Sequence, residues 1–456
     1  MKTIWDKYHY DRQIIDAFLD AFEIKIKGYK EPINWKNILS KILVWDGFNM
    51  DLKYNYATLI ENRKSSYLKS FAKWLLLKKE GNSPNKSHSN QLINCEYLFF
   101  LRNKGELEIL IPILKKLKVI TSLSIVYEFD DTEENYENWE LLKFNQLGLP
   151  PTQISFSLKK LPSSQALFVF NAFLREKGKL AQYFSFFNIL KETNNNLKKI
   201  IFVAGENKYV ANFCHQIFKD SNVKLENLMN GAKYGWPNDA DVDFDTWYVW
   251  SNKMKEALIK NANVNPQILK FIGHPLEDSI RIHKYSNNNL KLSNFNKRYR
   301  KVITLFTTSL QFANKLMVYK TVLNHIKKYP EIGLIVKAHP SDKEFNFFEA
   351  QNKNEQIFMI KGFNKTLLYD IIYSSNFSIG FGSTVSFESV WMGVPHISFE
   401  EFENSQLTIE SDLFYHVNNL HSFKVLLEKN DNLSKKSTVS SNFDVTRKYV
   451  SSILNV

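Results

Sequence analysis

Three short stretches carry the residues best suited to chemistry. VITLFTTS ends in Thr307, Thr308 and Ser309; LIVKAHP ends in Lys337, Ala338, His339 and Pro340; FSIGFGST ends in Gly382, Ser383 and Thr384. Each is an apolar run that stops at polar residues, the pattern of a buried strand delivering its carboxyl end to a rim. Together the three ends would bring hydroxyls, a cation and an imidazole to one edge. Lys337 and His339 are two apart, so in a strand their side chains share a side. A helix start at Ser383-Thr384 adds unpaired backbone N–H groups and partial positive charge, which favour an anion such as phosphate. The plainer readings are an N-cap for Ser383 or Thr384 and a turn for His339-Pro340. Glu388 falls on the following helix. It could take ribose hydroxyls, or simply be an acid near a positive helix end.

The N-terminal half offers less. In ENLMNGAKYGWPNDADVDFDTW (Glu226 to Trp247), aspartates alternate at Asp239, Asp241, Asp243 and Asp245. Alternating carboxylates suit a hard cation, but the glycine and terminal glutamate of a calcium loop are missing, so no metal is expected. Gly205-Glu206, closing KKIIFVAGE, is a second candidate site edge, and His274-Pro275 in FIGHPLED reads as a turn at a domain junction.

The elements that must position these residues alternate. After a helical stretch over residues 1–90 and a polar break at EGNSPNKSHSNQ, strand-like runs (EYLFFLRNK, VITSLSIVYEF, ALFVFNAF, KKIIFVAGE) are interleaved with helical ones. His283 to Arg300 is Asn-rich and reads as a linker, after which the alternation resumes. This pattern predicts an α/β protein with two parallel-sheet, Rossmann-like domains. The boundaries expected are 1–90 for a helical extension, 91–285 for an acceptor domain, 286–430 for a nucleotide-donor domain, and 431–456 for a tail packing back on the first domain.

Composition narrows the class. The 456 residues are 44% hydrophobic and 23% charged, which is globular. The start, MKTIWDKYHYDRQ, has no apolar core for a signal peptide, and no uncharged apolar run approaches the length of a spanning helix. Cys95 and Cys214 form neither a disulfide framework nor a zinc site. A cytoplasmic protein is expected. The net charge of +13 suits anionic substrates or the anionic inner face of a membrane. No nucleic-acid-binding motif is present, so nucleic acid is not an expected partner.

FIGHPLED, LIVKAHPSD and DIIYSSNFSIGFGSTVSFESVWMGVPHISF, within a span from Leu98 to Phe399, resemble the GT-B glycosyltransferases of bacterial capsule and surface-polysaccharide assembly. That group includes sialyl- and polysialyltransferases, Kdo transferases and CDP-glycerol polyol-phosphate transferases. The resemblance implies two domains facing a cleft, and a nucleotide-sugar donor, cytidine-linked, as the bound nucleotide. It implies no metal and no separate cofactor. A glycan or glycolipid would be the acceptor. His339-Pro340 and Ser383-Thr384 would hold the donor phosphate, with Lys337 supporting the leaving group. Nucleoside contacts would fall near Glu388 and Gly362-Phe363. The group's general base would stand at Asn230, yet an amide cannot take a proton. Glu206 and Asp241 are then the alternative bases, with Asp239 beside them. Besides glycosyl transfer, the same architecture serves polyol-phosphate transferases, sugar-nucleotide epimerases that need no acceptor, and non-catalytic binding homologues.

Overall fold

Runs such as YLFFL, KIIFV, KVITLF and IGLIVK are apolar at nearly every position, because strands of a parallel sheet are covered on both faces. In the computed structural model all four are buried strands. The structure describes residues 4–48, 63–77, 93–102, 104–128, 141–144, 147, 149, 152–205, 209–229, 231, 235, 239–285, 289–308, 313–339, 342–351, 354–362, 365–400, 409, 411–429 and 444–455. They divide into two units, Met1–Phe271 and Ile272–Val456.

The first unit holds a sheet of β2 (Tyr97–Leu101), β3 (Leu123–Tyr127), β4 (Leu141–Lys143), β6 (Lys199–Val203), β7 (Lys224–Leu228), β8 (Thr246–Val249) and β9 (Leu269–Phe271). Its order is β4-β3-β2-β6-β7-β8-β9, with every pairing parallel. A separate antiparallel pair joins β1 (Phe22–Ile26) to β5 (Ile154–Leu158). Helices Ile4–Ala21, Trp35–Phe48 and Lys64–Leu77 pack on the long helix Ser164–Thr193.

That long helix corrects one expectation. ALFVFNAF is not a strand but the start of a 30-residue helix. Short apolar runs do not distinguish a buried strand from a buried helix. Here Ser163 decides, its hydroxyl accepting from Ala166 N at 3.1 Å as an N-cap. The first turns of the helix, residues 166–170, are buried all round, whereas further along Arg175, Lys179 and Gln182 are exposed on one face. Phe170 meets Phe18, Phe22 and Phe71 of the N-terminal segments, while Tyr183, Phe186 and Phe187 meet Phe100 of β2.

The second unit holds β10 (Lys301–Phe306), β11 (Ile332–Lys337), β12 (Ile357–Ile360), β13 (Phe377–Gly380), β14 (His396–Phe399) and β15 (Phe414–Val417). The order is β12-β11-β10-β13-β14-β15, again parallel throughout. Part of the expected linker is instead the helix Leu290–Arg298. Asn289 caps it, and Leu292 and Phe295 are buried. The C-terminal helix Val445–Leu454 is held by Asp278, whose carboxylate accepts from the backbone N–H groups of Val445 and Thr446 at 3.2 and 2.9 Å. Tyr449 also donates to Gly273 O at 2.7 Å. No described helix is long and apolar enough to cross a membrane.

Candidate functional site

In the second sheet the chain runs outward from β10 through β11 to β12, then returns to β13 on the other side of β10. The carboxyl ends of β10 and β13 therefore flank a topological switch point, where connections leave in opposite directions and ligands of such sheets bind. Thr307 and Thr308 follow β10 and are buried. Thr307 ties β10 to β11. Its N–H donates to Lys337 O at 3.1 Å, and its hydroxyl accepts from His339 N at 2.9 Å.

Lys337 is only 8% exposed. Its ammonium donates to Ala338 O at 2.9 Å and to Gly362 O at 2.6 Å, and among the described residues no carboxylate pairs with it. Burial holds its pKa below the usual lysine value. A buried cation satisfied only by carbonyl dipoles retains positive charge for an incoming anion. His339 is exposed just beyond it. Desolvation holds its pKa below 6.5; Asp342 pulls it up, while Lys337 and Lys315 add to the depression. The imidazole is thus mostly neutral at pH 7. Glycine is needed at 362, where φ is +81°.

Sequence inspection did not find Lys315 and Asp342. Lys315 Nζ lies 3.2 Å from Asp342, from Glu344 and from Thr308 O. Tyr319 also donates to Asp342, at 2.9 Å. This buried pair braces the exits of β10 and β11. The only sequence signal was Asp342 in KAHPSD, since Lys315 is 27 residues away on a helix.

After β13, Gly382 adopts φ +58° and leads into the helix Val385–Trp391. Its N–H is taken within the fold by Ser398 Oγ at 3.0 Å. Thr384 occupies the N-cap position without a side-chain cap bond. The half-buried hydroxyls of Ser383 and Thr384 make no hydrogen bond with the described residues. Glu388 lies half-buried in the first turn of the helix. Ser309, Pro340 and Phe363 lie outside the described residues.

Beneath this turn sits a histidine that sequence reading assigned no role. His396 is fully buried on β14, with Ser378 Oγ 2.8 Å from Nδ1 and Ser386 Oγ 2.9 Å from Nε2. Burial pushes its pKa down to about 3, so the ring is neutral.

In the first unit the corresponding switch point lies between β2 and β6. Ala204, directly after β6, takes φ +53°, a strained value for a residue with a Cβ. Gly205 N donates to Asn227 Oδ1 at 2.8 Å, and a Cβ at 205 would lie 2.7 Å from Phe202 Cβ. Glu206 and Asn230 lie outside the described residues. Asp241 has φ +54° and accepts from Tyr8 at 2.6 Å, Arg12 at 2.9 Å and Ser40 at 3.2 Å. Its carboxylate anchors the N-terminal helices. Asp239 is buried, burial pushes the Asp243 carboxyl up, and Asp245 accepts from Leu225 N at 2.8 Å. Among the described residues no group of three or more His, Cys, Asp or Glu could hold a metal ion.

No protein-family model and no curated protein matches the chain. Solved structures do. The UDP-GlcNAc 2-epimerase of Methanocaldococcus jannaschii, in complex with UDP-GlcNAc and UDP, matches 79% of this chain and 99% of its own, at 14% identity and TM-score 0.53. The Neisseria meningitidis UDP-GlcNAc 2-epimerase bound to UDP-GlcNAc matches 79% and 100%, at 12% and 0.53. The S. aureus MnaA–UDP complex matches 79% and 97%, at 12% and 0.56. At such identities the likeness establishes the fold, two Rossmann-like sheets of the GT-B type. It also corrects the functional reading. The matched proteins include several UDP-GlcNAc 2-epimerases, so glycosyl transfer from a cytidine donor to a surface glycan gives way to the epimerase alternative.

Proposed function

We propose that this chain is a sugar-nucleotide epimerase acting on a uridine-diphosphate sugar. The observation that carries the reading is Lys337: a buried ammonium whose only partners among the described residues are carbonyls, at the rim of a Rossmann-type sheet. A nucleotide diphosphate supplies the negative charge that this cation lacks. His339 and the hydroxyls of Ser383 and Thr384 stand on the same rim and complete a phosphate site. Thr307 and Thr308 support it. Glu388 and Gly362-Phe363 take the nucleoside.

The matched structures that hold UDP or UDP-GlcNAc support uridine over cytidine. Epimerisation at C2 moves one proton from one face of that carbon to the other. It needs no acceptor glycan, oxidant or reductant, and no membrane surface. A base and an acid are needed. Glu206, following the tight turn at Gly205, is the proposed base, and Asn230 can only position by hydrogen bonding.

Incubating the protein with UDP-GlcNAc in deuterated water tests this. NMR should show the C2 epimer accumulating with deuterium at C2. An unchanged, undeuterated sugar nucleotide would overturn the reading. Tight UDP binding without any turnover would favour a binding homologue instead, the alternative that Asn230 motivates.

A further inference from the structure

We infer that three alternate residues on one face of β14 and its exit, His396, Ser398 and Glu400, are positioning residues for the turn at Gly380 to Thr384. The inference rests on the proposed nucleotide site. A strand inside a parallel sheet is ordinarily apolar on both faces. Here positions 396, 398 and 400 alternate with Ile397 and Phe399, so the three polar residues share one face. All three are at most 1% exposed.

Their hydrogen bonds converge on one neighbour. The two nitrogens of His396 reach Ser378 on β13 and Ser386 on the helix Val385–Trp391. Ser378 also donates to Ser389 of that helix at 3.0 Å. Ser398 Oγ accepts from Gly382 N and donates to Glu400 Oε1 at 2.5 Å. The turn and the first turn of the helix are therefore bonded to β14 through Gly382 and Ser386, and the helix is tied to β13 through Ser389.

Gly380 completes the fit. A Cβ there would lie 3.0 Å from Cε1 and Nε2 of His396, tighter than ordinary contact. Buried polar networks cost desolvation that apolar packing avoids, and what they add is a unique geometry. This one fixes the backbone that carries Ser383 and Thr384.

The test compares wild type with Ser386→Ala, Ser398→Ala and Ser398→Thr. Hydrogen exchange of residues 378–392 is measured by mass spectrometry, and UDP affinity by calorimetry. Both alanine variants should speed exchange in the turn and helix while β10 and β11 stay protected. UDP affinity should fall about tenfold or more, and Ser398→Thr, which retains the oxygen, should recover much of it. Folded alanine variants with wild-type exchange in residues 378–392 would overturn the inference. So would a faster turn with unaltered UDP affinity. If wild type itself binds no UDP, the nucleotide reading fails, and the exchange result alone decides whether β14 holds the turn.

Discussion

Lys337 concentrates the electrostatics of the rim into one side chain. Replacing it with Met should weaken UDP binding about tenfold or more, the scale of one charge-assisted hydrogen bond. The melting midpoint should hold or rise, because a buried charge with no carboxylate partner among the described residues is removed. Calorimetry and thermal melts on the same sample check both. His396 makes a separate prediction. Its folded pKa of about 3 lies below its ordinary 6.5, so the unfolded chain binds more protons in that window. Stability should fall as pH drops from about 6.5 towards 3, by on the order of 1 kcal/mol per unit from this group. Urea titrations of wild type and His396→Asn across that range should show a shallower slope for the variant. Much of this rim was legible in the sequence, since KAHP and GST end apolar runs. Lys315, Asp342 and His396 were not, because their partners are distant in the chain and meet only after the sheet forms.

At the level of elements, strand ends carry the strain and the anchors. Ala204→Gly should raise stability by up to about 1 kcal/mol, because glycine accepts φ +53° without a Cβ penalty. Asp241→Asn should lower it by about 1–2 kcal/mol, since Arg12 loses its charged partner in a half-buried setting. Denaturant midpoints measure both. If Asp241→Asn instead abolished turnover with the midpoint unmoved, the anchoring role would be wrong. The alternating grammar of strands and helices was readable because parallel strands are apolar throughout. The start of the helix Ser164–Thr193 defeated that reading for the same reason: residues 166–170 are buried all round, and the polar face begins only after them. The antiparallel pairing of β1 with β5 was also hidden, since FEIKI and ISFSL lie more than 120 residues apart.

For the whole chain, the net charge of +13 should assist capture of a dianionic nucleotide. Raising ionic strength well above physiological should therefore slow UDP association measurably in stopped flow, whereas salt-independent rates would remove that role. The arrangement of the first unit also bears on its birth. Phe18, Phe22 and Trp35 leave the ribosome roughly 150 residues before Phe170 and Phe173, on the order of ten seconds at ordinary rates of synthesis. Through that interval Phe18 and Phe22 have each other and then Phe71 as partners, but not the helix Ser164–Thr193 against which they pack. The N-terminal helices are thus the segment most in need of a chaperone during translation, and codon changes that slow synthesis between residues 40 and 160 should lower the soluble yield without altering a single amino acid.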